Sequence, residues 1–377
     1  MDASKRIEKI RSFLKEENIG LSIITNPDNQ YYLSGFLALI YSRPIILTID
    51  DNSKNLIIPA LEENHAKEDS DADNILVYYE HPEQKHKGTS YLQHLDSILD
   101  NHKENKKIAV EFKSMSIGMA EYLKNKGFKL IDMSDKIKEM RYIKDEQEMD
   151  LLEKSGELVS LAVAESIKNL KPGISEIEFD SYGDNALYSE TSKKYPNASL
   201  YKFEMSPSGI ERTNMPHVFS NTRKFEEKDI VIHSRQVGLN NYHAECERTF
   251  FIGEPTEKQK EVFNVMVEAQ AACMDFIKPG VKAKEVDEVG RSIIQKAGYG
   301  EYAYHRIGHG IGIGSHEEPY LRFDSELILK EGMVFSIEPG IYIPGVGGFR
   351  HSDTIVVTQN GSKIITDFPR KLEDLIF

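Results

Sequence analysis

Between residues 304 and 319 the chain reads YHRIGHGIGIGSHEEP, and further on it carries Ser336-Ile337-Glu338-Pro339-Gly340 and Gly348-Phe349-Arg350-His351-Ser352-Asp353. Histidines and carboxylates are interleaved here with glycines, which let one backbone approach another closely. Imidazoles and carboxylates gathered in this way act as acid and base in proton transfer, or as ligands to a divalent cation. A hydrophobic core needs neither, so the pattern marks a site. A second set stands in His243-Ala244-Glu245-Cys246-Glu247-Arg248-Thr249. Strand alternation puts Glu245 and Glu247 on one face and turns Cys246 to the other, as a small core residue. Taken alone, such alternation describes a solvated strand face, and His217 after Pro216 reads as an ordinary loop histidine.

These residues need elements to hold them. Ile7, Ile10, Phe13 and Leu14 recur at helical spacing over residues 4–17, followed by short apolar runs at 21–24, 44–49, 56–59, 75–79 and 107–110. Helical patterns at 94–102 and 116–126 fall among those strands, which predicts a small α/β domain over 1–138. The charged stretch from Met140 starts a long helix. Over 139–377, helices are expected at 145–170, 175–190, 257–277 and 283–297, with Lys278-Pro279-Gly280 stopping the third. Strands are expected at 229–236, 242–252, 333–343 and 353–358. Separate runs of helices and strands predict an α+β domain with helices covering a curved antiparallel sheet.

A chain of 377 residues exceeds one comfortable core, in keeping with two domains. Its net charge of -14 argues against nucleic acid as a partner. No run approaches the roughly 18 apolar residues of a membrane span. The charged, amphipathic N-terminus lacks the apolar middle of a signal peptide. Two cysteines are too few for a disulfide framework. A cytoplasmic setting is expected.

The GHGIG, HEEP and IEPG elements resemble the pita-bread family of prolidase, aminopeptidase P, methionine aminopeptidase and creatinase, and the resemblance spans nearly the whole chain. In the metal-dependent members two ions share five ligands. Carried over, the histidine falls on His309 and one glutamate on Glu338. The aspartate ending the second strand falls on Glu245, but its partner falls on Ser234 and the last glutamate on Ser352. Serine hydroxyls are neutral and poor ligands for divalent ions, so a two-ion site is not expected.

The same substitutions make the chain similar to creatinase, the metal-free member. That likeness implies that Glu247 and Glu338 grip a cationic guanidinium. It also implies that His217 acts as general base and then general acid, and that His309, His316 and Arg322 orient substrate, the arginine through a carboxylate. Tyr41 and Arg43 resemble an element that reaches into the partner subunit's site, which implies a homodimer. A histidine at 351 rather than 352 departs from creatinase, so creatine is not the expected substrate.

The leading expectation is therefore a hydrolase of C–N bonds in small carboxylate-bearing substrates, working without a metal cofactor. The first alternative is a metal-dependent Xaa-Pro dipeptidase or aminopeptidase with a single zinc, manganese or cobalt ion on Glu245, His309 and Glu338. The second is a non-catalytic peptide- or protein-binding module.

Overall fold

The computed structural model describes residues 3–39 and 42–377. The chain folds as two compact units, Met1–Met140 and Arg141–Phe377. In the first, strands β1 (Leu21–Ile24), β2 (Ile46–Ile49), β3 (Lys54–Pro59), β4 (Asn74–Tyr78), β5 (Lys107–Val110) and β6 (Lys129–Asp132) form a sheet in the order β4-β3-β2-β1-β5-β6. The pairs β1–β5, β5–β6 and β3–β4 are parallel, and each therefore needs a crossover connection. Helix Glu63–Asp69 lies in the β3–β4 crossover and Ile117–Asn125 in that of β5–β6, while Tyr91–Asp100 leads from β4 to β5; the last two bury Leu95, Leu99 and Leu123 against Leu21, Ile57, Ile108 and Val110. Helix Pro27–Ser34 was not expected from apolar spacing. Asn26 caps it by accepting a hydrogen bond from Asn29 N, and Pro27 opens it.

The second unit carries β7 (Leu200–Met205), β8 (Ile230–Leu239), β9 (Tyr242–Phe251), β10 (Gly308–Gly310), β11 (Glu317–Leu321), β12 (Val334–Ile337), β13 (Gly340–Ile343), β14 (Gly347–Arg350), β15 (Ser352–Thr358) and β16 (Gly361–Ile364). Eight of these form an antiparallel sheet ordered β11-β10-β12-β15-β9-β8-β7, with β16 also against β15. Strands β13 and β14 pair separately. The run expected as one strand over 333–343 is therefore two. Pro339 has no N–H to give a ladder, so the chain leaves the sheet at Glu338 and pairs again from Gly340.

Helices Glu146–Lys168, Glu176–Lys194, Glu257–Phe276 and Ala283–Lys296 pack in this unit, and Leu158, Val159, Phe179 and Phe263 join Val231, Ala244 and Phe250 in its core. The first starts at Glu146, later than Met140, because Asp145 caps Gln147 N and Glu148 N. This is the pita-bread arrangement that the motifs implied.

Candidate functional site

Register explains how distant residues meet. The β8–β9 hairpin turns through Asn240 and Asn241, both at positive φ, and pairs Ser234 with Glu247 and Gln236 with Glu245. Strand β15 sets Ser352 opposite Glu247, and β10 sets His309 opposite Ser336 on β12. Directly opposed residues share a face, so these side chains converge. The glycines flanking His309 permit the close approach. A Cβ at Gly308 would stand 2.2 Å from Ser336 O, and one at Gly310 would stand 2.8 Å from Glu318 O.

At the centre, Glu245 Oε1 accepts hydrogen bonds from Ser336 Oγ at 2.7 Å and Ser352 Oγ at 2.6 Å, while Oε2 accepts from Gln236 Nε2 at 2.5 Å. Burial opposes its charge, but the His309 and His316 rings and the bonds from Ser352 and Gln236 outweigh burial and hold it at about 2. His309 is buried, and burial pushes it below the usual histidine range. Its Nδ1 lies 2.9 Å from Gly310 O, an atom that can only accept, so Nδ1 carries the proton and Nε2 is a bare lone pair. That Nε2 has no hydrogen-bond partner, although it lies 3.4 Å from Glu338 Oε1 and 4.0 Å from Glu245 Oε2.

Burial and repulsion from Glu245 and Glu247 push Glu338 well above the usual carboxylate range. Glu247 is held by Arg350, with Nε donating to Oε2 at 2.5 Å and Nη2 to Oε1 at 2.9 Å. Arg350 also donates to Tyr342 OH and Pro216 O, each at 3.1 Å. Through Pro216 it pins the loop carrying His217, which is exposed and lines two cavities of about 340 and 580 Å³. Both cavities also touch Val218, His316, Glu338 and Arg350. The His316 ring stacks on His309 with centroids 3.9 Å apart.

Other expected residues lie elsewhere. Arg322 is half exposed, donates to Asp324 at 2.6 Å, and lines neither cavity. Arg43 pairs with Glu80 at 2.7 Å within the first unit, and Tyr41 lies outside the described residues. His351 turns away from Glu245 and packs edge-on against Phe263. Sequence reasoning assigned no role to Gln236, Ser336, Tyr342, Arg306 or Arg350. Gln236 alternates with Ser234 on the same strand face, and Arg350 stands two residues before Ser352, signals that could have found both.

Residues 150–359 match the model of metallopeptidase family M24, and residues 6–143 match the creatinase/prolidase N-terminal domain. The chain belongs to metallopeptidase family M24. It is a hydrolase acting on peptide C–N bonds. Within M24, an Xaa-Pro dipeptidase of Pyrococcus furiosus is 34 % identical over 98 % of this chain and 99 % of its own length. The prolidase structure from Pyrococcus horikoshii OT3 superposes with a TM-score of 0.85 at 33 % identity, covering 98 % of this chain and 100 % of that one. An X-Pro aminopeptidase structure from Thermotoga maritima gives 0.85 at 27 % identity over 99 % of both chains.

These matches overturn the metal-free, creatinase-like expectation and with it the expectation of no cofactor. The physical reason lies in Glu247 and His309. Glu247 cannot grip a substrate guanidinium, because the protein's own Arg350 guanidinium already occupies it on both oxygens. The unpartnered Nε2 of His309, facing two carboxylates, is a donor set that a cation completes. Among the described residues, Glu245 belongs to both groups able to hold an ion, with His309 and His316 or with Glu247 and Glu338. The residues present fit one divalent cation.

Proposed function

We propose that this M24 hydrolase is an Xaa-Pro peptidase working with one divalent cation (zinc, manganese or cobalt) on Glu245, His309 and Glu338. The observation that carries the reading is the buried, unpartnered His309 Nε2 between two carboxylates. Relatives named Xaa-Pro dipeptidase and X-Pro aminopeptidase supply the substrate class. A cation bound there supplies Lewis acidity towards the scissile carbonyl and activates water. A second ion is not part of the reading. Ser234 and Ser352 offer neutral hydroxyls, and that of Ser352 already donates to Glu245.

Hydrolysis adds water across the amide. Its oxygen bonds to the carbonyl carbon, the C–N bond breaks, and the proline nitrogen leaves with a proton. In this reading His217, at the cleft mouth on the loop tied to Arg350, passes that proton. His316 braces His309 through ring stacking and borders the substrate. Arg350 keeps Glu247 paired, which limits repulsion around Glu338.

The reading extends to a cytoplasmic homodimer in which Arg43 reaches the partner's cleft. An exposed pair such as Arg43–Glu80 is worth about 1 kcal/mol or less, so Arg43 is readily exchanged to a new partner.

The experiment is hydrolysis of L-alanyl-L-proline before and after chelation, with manganese, cobalt or zinc returned. Activity should vanish and come back, and His217→Ala should lower kcat without changing metal content. Failure to cleave any Xaa-Pro peptide with all three ions would end the proposal.

A further inference from the structure

His217 is exposed, so the backbone of its loop decides where the imidazole stands. That loop leaves β7 at Ser206 and runs past His217 to Asn221. Apart from one short helix, Ile210–Thr213, it lies outside the helices and strands, and its backbone N–H groups need acceptors from elsewhere. One carboxylate meets several of them. Glu176 stands in the first turn of helix Glu176–Lys194 and is fully buried. Its Oε1 accepts from Ser208 N at 2.8 Å, Ser208 Oγ at 2.6 Å and Arg212 Nε at 3.1 Å. Its Oε2 accepts from Arg212 Nη2 at 2.8 Å and from Asn221 N at 2.9 Å. Both ends of the loop are thereby tied to a single side chain. Asp180, one turn further along the same helix face, accepts from the hydroxyls of Ser206 and Ser220.

The tie reaches close to His217. Arg212 Nη2 also donates to Phe219 O at 2.8 Å, and on the other side of His217 Arg350 donates to Pro216 O at 3.1 Å. His217 thus stands between two carbonyls, each held by an arginine that a buried glutamate holds in turn, Glu176 for Arg212 and Glu247 for Arg350. The helix start itself does not need Glu176 as a cap, because the Ser175 hydroxyl accepts from Glu178 N. What the arrangement fixes is the stretch that sets His217, Val218 and Phe219 against the smaller cavity. We propose that Glu176 is a positioning residue for proton transfer: with Arg212 it closes the loop and so sets where His217 stands relative to the scissile bond. This rests on the reading of the site as an Xaa-Pro peptidase in which His217 passes the proton.

Glu176→Gln keeps the size of the side chain but places a donating amide where an oxygen accepted, so part of the loop loses its acceptor. In the metal-loaded enzyme kcat for L-alanyl-L-proline should fall about 10- to 100-fold, the cost of misplacing a reacting group by about 1 Å. KM and bound metal should change little. In a His217→Ala background the same substitution should cost almost nothing more, because a residue that acts through His217 has nothing left to position. Equal losses in the two backgrounds, or an unchanged kcat in Glu176→Gln, overturn the proposal. Should Glu176→Gln fail to fold, Arg212→Met, at a partly exposed side chain, is read in the same cycle. If the wild type cleaves no Xaa-Pro peptide, the peptidase reading fails instead, and hydrogen exchange decides the clamp. Faster exchange over 206–221 in Glu176→Gln, with 230–251 still protected, supports it; an unchanged loop, or equal loss in both segments, overturns it.

Discussion

Replacing Arg350 by methionine would leave Glu247 buried and unpaired beside Glu245 and Glu338. Both side chains of the pair are 3 % exposed, and the two bonds between them measure 2.5 and 2.9 Å. Removing one partner of such a pair typically costs about 3–5 kcal/mol, because a lone charge stays in a poorly solvated place. At about 2–4 °C per kcal/mol for a unit of this size, the chelated protein should melt about 6–20 °C lower. Glu247→Gln added to Arg350→Met removes the stranded charge and should recover about half of the loss or more. Full recovery is not expected, since Arg350 also bonds Tyr342 and Pro216. Ligand oxygens of Glu245, Glu247 and Glu338 lie within 4.8 Å of one another, so a cation can stand in for the missing guanidinium. Added manganese should therefore raise the melting point of Arg350→Met more than that of the wild type. Stability of Arg350→Met within about 1 kcal/mol of wild type, or a double variant no more stable than the single one, would show that Glu247 is not stranded by loss of the guanidinium.

Ser234→Asp with Ser352→Glu should raise bound manganese from one ion per chain to two by elemental analysis; a ratio that stays at one would show that these positions do not limit the site. The chelated double variant should also be less stable than wild type, because residue 352 sits against Glu245 Oε1. His233 and His351 are fully buried, and burial holds both well below the usual value of 6.5, while burial and the Arg350 charge hold His305 at about 4. The folded state keeps them neutral while the unfolded chain binds protons below 6.5. Their contribution is therefore complete above that value and is lost as pH falls towards 4, at about 1.4 kcal/mol per pH unit for each histidine. Denaturant midpoints measured from pH 7 to 4.5 should follow that slope, and His351→Phe should flatten it. Burial raises both thiols, Cys246 and Cys273, to about 12. Iodoacetamide should label neither until the protein unfolds, and rapid native labelling would contradict their burial.

The sequence displayed the site more openly than its occupancy. Glycines around His309 and the Ser336–Gly340 turn carry local signatures, because close backbone approach admits few residue types, and β8 and β9 alternate visibly. The two-layer α+β arrangement followed from the same patterns. What was not legible depends on register across strands far apart in sequence. Arg350 reaches Glu247 only because β15 sets Ser352 opposite Glu247, and nothing local to either residue announces it. That pairing is why a glutamate similar to one in a metal-free relative carries different chemistry here. Arg322 differs, since the carboxylate that engages it, Asp324, stands only two residues away. The break at Pro339 was readable in principle, since a residue without an N–H ends a ladder.

Metal content set against rate shows whether one cation suffices for cleavage. Chelated protein titrated with manganese, while L-alanyl-L-proline cleavage and bound metal are followed together, should regain its full rate at one ion per chain, and His309→Ala should bind none tightly. Undiminished cleavage by protein stripped of metal, or a rate that keeps rising until two ions are bound, would contradict a single-cation peptidase built on Glu245, His309 and Glu338.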